Sequence, residues 1–117
     1  MTPSSAPPPP LCHISDLSDP GSAGFAVEVN GERVLILVVR RGDDVFAYIN
    51  RCPHLGVPLD MEPGRFLNIE RRYILCSTHG ALFRLDSGLC VAGPCRDKSL
   101  KPFDITLTDG WILPGAA

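Results

Sequence analysis

Two short segments restrict this chain more than anything else in it: Cys52-Pro53-His54-Leu55-Gly56 and Cys76-Ser77-Thr78-His79-Gly80. Each presents one thiol and one imidazole, with one residue between them in the first pair and two in the second. Pro53 fixes its own φ, while Gly56 and Gly80 permit a tight reversal just past each histidine. Two such turns packed together can offer two sulfurs and two nitrogens to one inorganic site. A tetrahedral zinc ion takes that ligand set, and so does a [2Fe–2S] centre in which two histidines replace two cysteines on one iron. Zinc sites usually begin with a closely spaced cysteine pair and close with a histidine pair. Here both halves run cysteine before histidine. If each pair straddles two irons, one iron receives both thiolates and the other both imidazoles, and the repeated order has a reason. Zinc leaves the order unexplained, and a fold that keeps the residues but holds no metal is the remaining alternative.

With 117 residues, 44% hydrophobic and 21% charged, the chain has material for one packed domain and not for a separate catalytic domain beside it. No apolar run approaches the roughly 20 residues that span a bilayer. The N-terminus also lacks a basic stretch leading into an apolar one, so no secretory signal is expected and the cytoplasm is. Eleven basic and thirteen acidic residues give a formal charge of −2, which implies no basic face for nucleic acid and fits an electropositive surface on a redox partner. Of the five cysteines, Cys12, Cys90 and Cys95 stand outside the paired segments. That odd number argues against a secreted disulfide scaffold, and reduced thiols are expected, with Cys90 partly buried on a strand and Cys95 in a loop.

Five of the first ten residues are proline, including Pro7 to Pro10, so residues 1–10 read as an extended, solvated leader. Residues 11–117 then read as one domain. A first strand is expected over Leu11–Asp16, a turn at Asp19-Pro20-Gly21 and a second strand over Phe25–Val29. Asn30-Gly31 is strong hairpin chemistry because both residues tolerate positive φ. Leu35–Val39 is almost continuously apolar and reads as a central strand, and Val45–Asn50 delivers Cys52. Within the insert from Asp60 to Tyr73, a turn at Glu62-Pro63-Gly64 precedes a short strand over Phe66–Ile69. Tyr73–Leu75 delivers Cys76. Further strands are expected over Ala81–Arg84, Phe103–Leu107 and Trp111–Leu113, with turns at Asp86-Ser87-Gly88 and Asp109-Gly110. His13 reads as a strand-surface residue, Arg71-Arg72 as a solvated pair and Trp111 as a structural aromatic. Short strands between glycine turns favour an antiparallel all-β domain.

At CPHLG and CSTHG the sequence resembles the Rieske iron–sulfur family, whose pattern is Cys-x-His-x-Gly followed by Cys-x-x-His-Gly. The likeness runs from about Leu11 to Leu113. It implies an all-β, Rieske-like antiparallel β-sandwich with a small cluster-binding subdomain at about residues 50–95. It also implies one [2Fe–2S] cluster, with Cys52 and Cys76 on one iron and His54 and His79 on the other. The loop beginning at Gly93-Pro94 resembles the proline-containing loop that covers the cluster in that family.

High-potential respiratory members carry an extra, bridged cysteine in each cluster loop, where this chain has Val57 and Thr78. They also commonly place hydroxyl side chains where it has Ala81 and Phe83. The resemblance therefore implies a low-potential, ferredoxin-type member: a carrier of one electron from a reductase to a terminal oxygenase, such as an aromatic-ring-hydroxylating dioxygenase. The catalytic subunit of such an oxygenase needs a further mononuclear iron site, often with two histidines and a carboxylate. Once His54 and His79 are assigned, only His13 is left, so independent catalysis is not expected. An accessory subunit of a reductase, such as the small subunit of a nitrite reductase docked on a large one, is the competing reading.

Overall fold

A computed structural model describes residues 9–53, 58–60, 66–68, 70–76, 80–94 and 97–115. Within them lie nine strands, all paired antiparallel: β1 (Cys12–His13), β2 (Gly21–Val29), β3 (Glu32–Arg41), β4 (Asp44–Ile49), β5 (Tyr73–Leu75), β6 (Leu82–Arg84), β7 (Cys90–Ala92), β8 (Ile105–Thr108) and β9 (Trp111–Pro114). They form three three-stranded sheets in the orders β1-β9-β8, β2-β3-β4 and β5-β6-β7. The all-β, antiparallel expectation is met. Among the described residues no helix is long and apolar enough to cross a membrane.

The unbroken apolar run in β3 has a direct cause. Side chains alternate across a strand, and here both faces are covered. Ile36 and Val38 pack with Ala47 and Ile112 in one apolar cluster, while Leu37 and Val39 pack with Tyr48, Ile74 and Phe83 in another. The β2-β3-β4 sheet is thus a middle layer, facing the β1-β9-β8 sheet on one side and the β5-β6-β7 sheet on the other. The hairpin turns follow their chemistry. Asn30-Gly31 has φ values of 52° and 83°, and Asp109-Gly110 repeats them at 52° and 83°, as two-residue turns between right-twisted strands require.

Several boundaries differ from expectation, each for a local reason. The strand anticipated over Leu11–Asp16 stops at His13, and Ile14–Asp16 forms a 3₁₀ turn. Ser15 N–H donates to His13 Nδ1 at 3.2 Å and His13 N–H donates to the Asp16 carboxylate at 3.0 Å, so side chains close the turn in place of a ladder. His13 is therefore a cap, and its ring stands edge-on to Trp111 at 4.9 Å between centroids. The β2 strand begins at Gly21, four residues earlier than expected. Gly24 continues the ladder there and leaves room for the Phe66 ring, 3.3 Å from where a Cβ would sit.

Residues 101–103 do not begin β8. Ile49 N–H donates to Lys101 C=O at 2.8 Å and Phe103 N–H donates to Ala47 C=O at 3.0 Å, so this segment covers the free edge of β4. The strand expected over Phe66–Ile69 is reduced to one bridge, Leu67 to Ile74. There Asn68 Oδ1 accepts from the N–H groups of Arg72 and Tyr73 at 3.0 and 3.2 Å and reverses the chain. The turn anticipated at Glu62-Pro63-Gly64 lies outside the described residues.

Candidate metal centre

Each cysteine of the paired segments lies just past a strand, Cys76 immediately after β5 and Cys52 three residues beyond the end of β4. After β4, Asn50 N–H still donates to Leu35 C=O at 2.9 Å, so the ladder holds the chain to within two residues of Cys52. The Asn50 side chain then closes the neck of the first loop. Its Oδ1 accepts from Leu59 N–H at 2.8 Å and its Nδ2 donates to Asp60 Oδ1 at 2.9 Å. The chain leaving the loop is thereby tied back to the point where it entered.

At the second loop the bonds among the described residues run between backbone groups. Leu75 pairs with Leu82 at the end of the β5–β6 ladder. Beyond it, Cys76 N–H donates to Ala81 C=O at 2.9 Å and Gly80 N–H donates back to Cys76 C=O at 2.8 Å. Gly80 has φ +71°, a conformation open to glycine at no steric cost. Leu75 N–H also donates to Phe66 C=O at 2.7 Å, which fixes β5 from its other edge.

These two necks bring together cysteines that are remote in sequence. Cys52 and Cys76 are both fully buried, in one cluster with Leu37, Leu59, Phe66, Ile74, Ala81 and Phe83. The donor chemistry and its setting fit a thiolate-bound iron: two sulfurs shielded from solvent oxidants and from competing water ligands. His54 and His79 lie outside the described residues, as do Val57 and Thr78. Among the described residues no three His, Cys, Asp or Glu side chains converge on a point, which is what remains when two of four expected ligands are described.

Around the cysteines, Ala81 and Phe83 are fully buried and carry no hydroxyl. Gly93, at φ +99°, lies so close to Ala81 that a Cβ would fall 2.7 Å from the Ala81 Cα. Gly93 therefore packs directly against Ala81, at the neck of the second loop. Cys95 lies outside the described residues. Cys90 is buried in the same cluster as Cys52 and Cys76, more deeply than expected, with Sγ 3.2 Å from Ala92 C=O. Cys12 is in β1 with the other cluster, and burial raises its thiol pKa.

Two residues that sequence reasoning passed over hold the site in place. One is Asn50, whose signal was an amide side chain at the exit of a strand, a position that favours bonds to nearby backbone. The other is Tyr48, whose hydroxyl donates to the buried Leu85 C=O at 2.7 Å and so joins the middle sheet to the β6–β7 turn. Burial, reinforced by the Asp86 carboxylate, pushes the Tyr48 pKa up to about 12. Gly88 makes room for this ring, since a Cβ there would meet Tyr48 Cε1 at 2.8 Å.

The sequence profile described as "Rieske [2Fe-2S] domain" matches residues 8–106. The chain belongs to the Rieske [2Fe-2S] domain family. Its fold is similar to that of the ferredoxin of carbazole 1,9a-dioxygenase from Nocardioides aromaticivorans IC177, at 27% identity and TM-score 0.69, over 96% of this chain and 100% of that one. The Sphingomonas yanoikuyae B1 ferredoxin shares the fold at 24% identity and TM-score 0.66, over 93% of this chain and 98% of that one. The fold also recurs inside a longer chain. The terminal oxygenase of carbazole 1,9a-dioxygenase from Novosphingobium sp. KA1 matches 93% of this chain but only 30% of its own, at 23% identity and TM-score 0.66. No curated protein sequence matches the chain.

Proposed function

We propose that this chain is a Rieske-type ferredoxin that carries one electron from a reductase to a terminal oxygenase of a ring-hydroxylating dioxygenase system, in the cytoplasm and without catalysis of its own. The observation that carries this reading is the likeness to the carbazole 1,9a-dioxygenase ferredoxin along that protein's whole length. Two cysteines sealed in one apolar cluster at the ends of β4 and β5 support it. Residues 11–117 act as one domain after the leader of residues 1–10, and the cluster-binding region covers about residues 50–95.

In this reading Cys52 and Cys76 hold one iron, and His54 and His79 hold the other. A bound [2Fe–2S] cluster supplies a one-electron couple, its potential tuned by charge, burial and hydrogen bonds to its sulfurs. The chain's own contribution is structural and electrostatic. Leu37, Leu59, Phe66 and Phe83 keep water from the cysteine side. Asn50 closes the neck of the first loop, and the backbone bonds from Cys76 to Ala81 and from Gly80 to Cys76 close that of the second. His54 and His79 would hold the second iron and would offer a bound cluster its route to a partner, and an imidazole so placed would bind a proton more readily once negative charge is added beside it. Ala81 and Phe83 offer no hydroxyl donors, which leaves the reduced form less stabilised.

Aerobically purified protein should contain iron and acid-labile sulfide in equal amounts and show a Rieske paramagnetic spectrum on reduction. Its midpoint should fall toward the lower end of the roughly −150 to +300 mV span of Rieske centres. Zinc without sulfide would overturn the cofactor assignment. A potential in the respiratory range would overturn the tuning argument built on Val57, Thr78, Ala81 and Phe83.

A further inference from the structure

Between the middle sheet and the β5-β6-β7 sheet, at the end away from the cysteines, a notch of about 250 Å³ is walled by Arg41, Arg72, Tyr73, Arg84, Asp86 and Val91. Its position follows from strand register. Arg41 pairs with Asp44 at the start of β4, whereas Cys52 follows the end of that strand. Arg84 pairs with Tyr73 at the start of β5, whereas Cys76 follows its end. At about 3.3 Å per residue the six residues of β4 span roughly 20 Å, and the three of β5 set Tyr73 roughly 10 Å from Cys76.

Three guanidinium groups face one carboxylate in this notch. Asp86 is engaged by Arg84, at 3.1 Å from Nε and 3.2 Å from its Nη2. Arg72 has no acceptor among the described residues. The Arg41 guanidinium lies over the Phe46 ring, 5.7 Å from its centroid, and likewise has no acceptor there. Asp43 and Asp44 stand at the neighbouring hairpin tip and do not line the notch. Exposed apolar side chains adjoin it: Val91 within the wall, and Leu89, whose C=O accepts from Arg84 N–H at 3.0 Å.

We propose that this notch docks a carboxylate-bearing surface of an acidic partner protein. Planar guanidinium groups suit carboxylates bidentately. Arginine and tyrosine beside exposed aliphatic side chains are the composition of a protein contact, not of a small-ligand cavity. The notch is open to solvent, so one free anion would be held weakly, whereas several carboxylates on a facing surface would add. A local excess of positive charge on a chain of net charge −2 also orients an approaching acidic surface. The inference is independent of the carrier assignment, because it uses none of the cluster ligands.

The test uses holo protein and a fluorescein-labelled decaglutamate peptide, read by anisotropy at low salt. Saturable binding that weakens about tenfold or more in R41Q/R72Q, and less than about twofold in the charge-matched control R33Q/K101Q, is the expected result. Unchanged visible absorption of the cluster in each variant shows that the fold is retained. Absent binding, or equal loss in both double variants, would refute a localised site. Displacement of the peptide by inorganic phosphate beyond the effect of sodium chloride at equal ionic strength would refute the protein-surface reading in favour of a small-anion site.

Discussion

The two cysteine loops leave their strands in the same way and are closed in different ways. At the first, among the described residues, side chains do the closing: Asn50 bonds Leu59 N–H and the Asp60 carboxylate across the neck. At the second, the closing bonds run between the backbones of Cys76, Gly80 and Ala81. A backbone closure survives most substitutions, whereas a side-chain closure depends on the residue that makes it. The second loop is sensitive elsewhere, at the glycine that lies on top of it. Two halves carrying the same ligand types therefore have different points of failure.

Replacing a buried cysteine should have the largest effect on either half. Cys52→Ser and Cys76→Ser should each abolish retention of iron and sulfide, read by elemental analysis and loss of visible absorption, because binding and local folding are coupled at such sites. Equal loss from both would show that the halves contribute jointly despite their different necks. Full cofactor content in either variant would contradict the ligand assignment. Next comes Gly93→Ala. A Cβ there would fall 2.7 Å from the Ala81 Cα, at φ +99°. With backbone strain and overlap acting together, a loss of about 2–4 kcal/mol is expected in denaturant unfolding of the holo protein. A loss below about 1 kcal/mol would mean that the backbone at Gly93 shifts freely away from Ala81.

Asn50→Ala isolates the side-chain closure. It leaves the buried-side N–H of Leu59 without its acceptor, at a cost of about 1–3 kcal/mol, and it should release cofactor faster under chelator challenge. Asn50→Asp keeps the acceptor for Leu59 but places a carboxylate against Asp60, so it should recover only part of the loss. An Asn50→Ala protein as stable and as chelator-resistant as the parent would erase the distinction between the two necks.

How far the sequence disclosed this arrangement depends on which forces were local. The hairpins at Asn30-Gly31 and Asp109-Gly110, the central position of β3 and the delivery of both cysteines by strands were readable, because turn chemistry and apolar runs act over a few residues. The two-sided burial of β3 was written in its lack of alternation. Less readable was what required distant partners. Nothing near Phe103 shows that residues 101–103 cover the edge of β4, and nothing near Gly24 announces the Phe66 ring. His13 is a strand residue as read from the sequence, but its second role, capping the turn through Ser15 and Asp16, depends on geometry that the sequence does not display. At the site, the burial of Cys52 and Cys76 at the strand ends agrees with the paired motifs, but the roles of Asn50 and Tyr48 were not legible, since each acts on a residue on another segment.

Tyr48 offers the smallest and most specific comparison, because it supports the second half from the middle sheet. Its hydroxyl donates to Leu85 C=O at 2.7 Å, and Tyr48→Phe should cost about 1–2 kcal/mol through the carbonyl left without its donor. The phenol also makes a pH signature. Its pKa is raised from 10.0 to about 12 in the folded chain, first by burial and then by Asp86. The unfolded phenol therefore loses its proton at lower pH than the folded one. The associated stability is complete below pH 10 and is lost as pH rises from about 10 toward 12. Tyr48→Phe should remove that decline, so parent and variant unfolding curves converge on the alkaline side while remaining separated near neutrality. Parallel pH profiles would show that the ring alone, and not its hydroxyl, joins the two sheets.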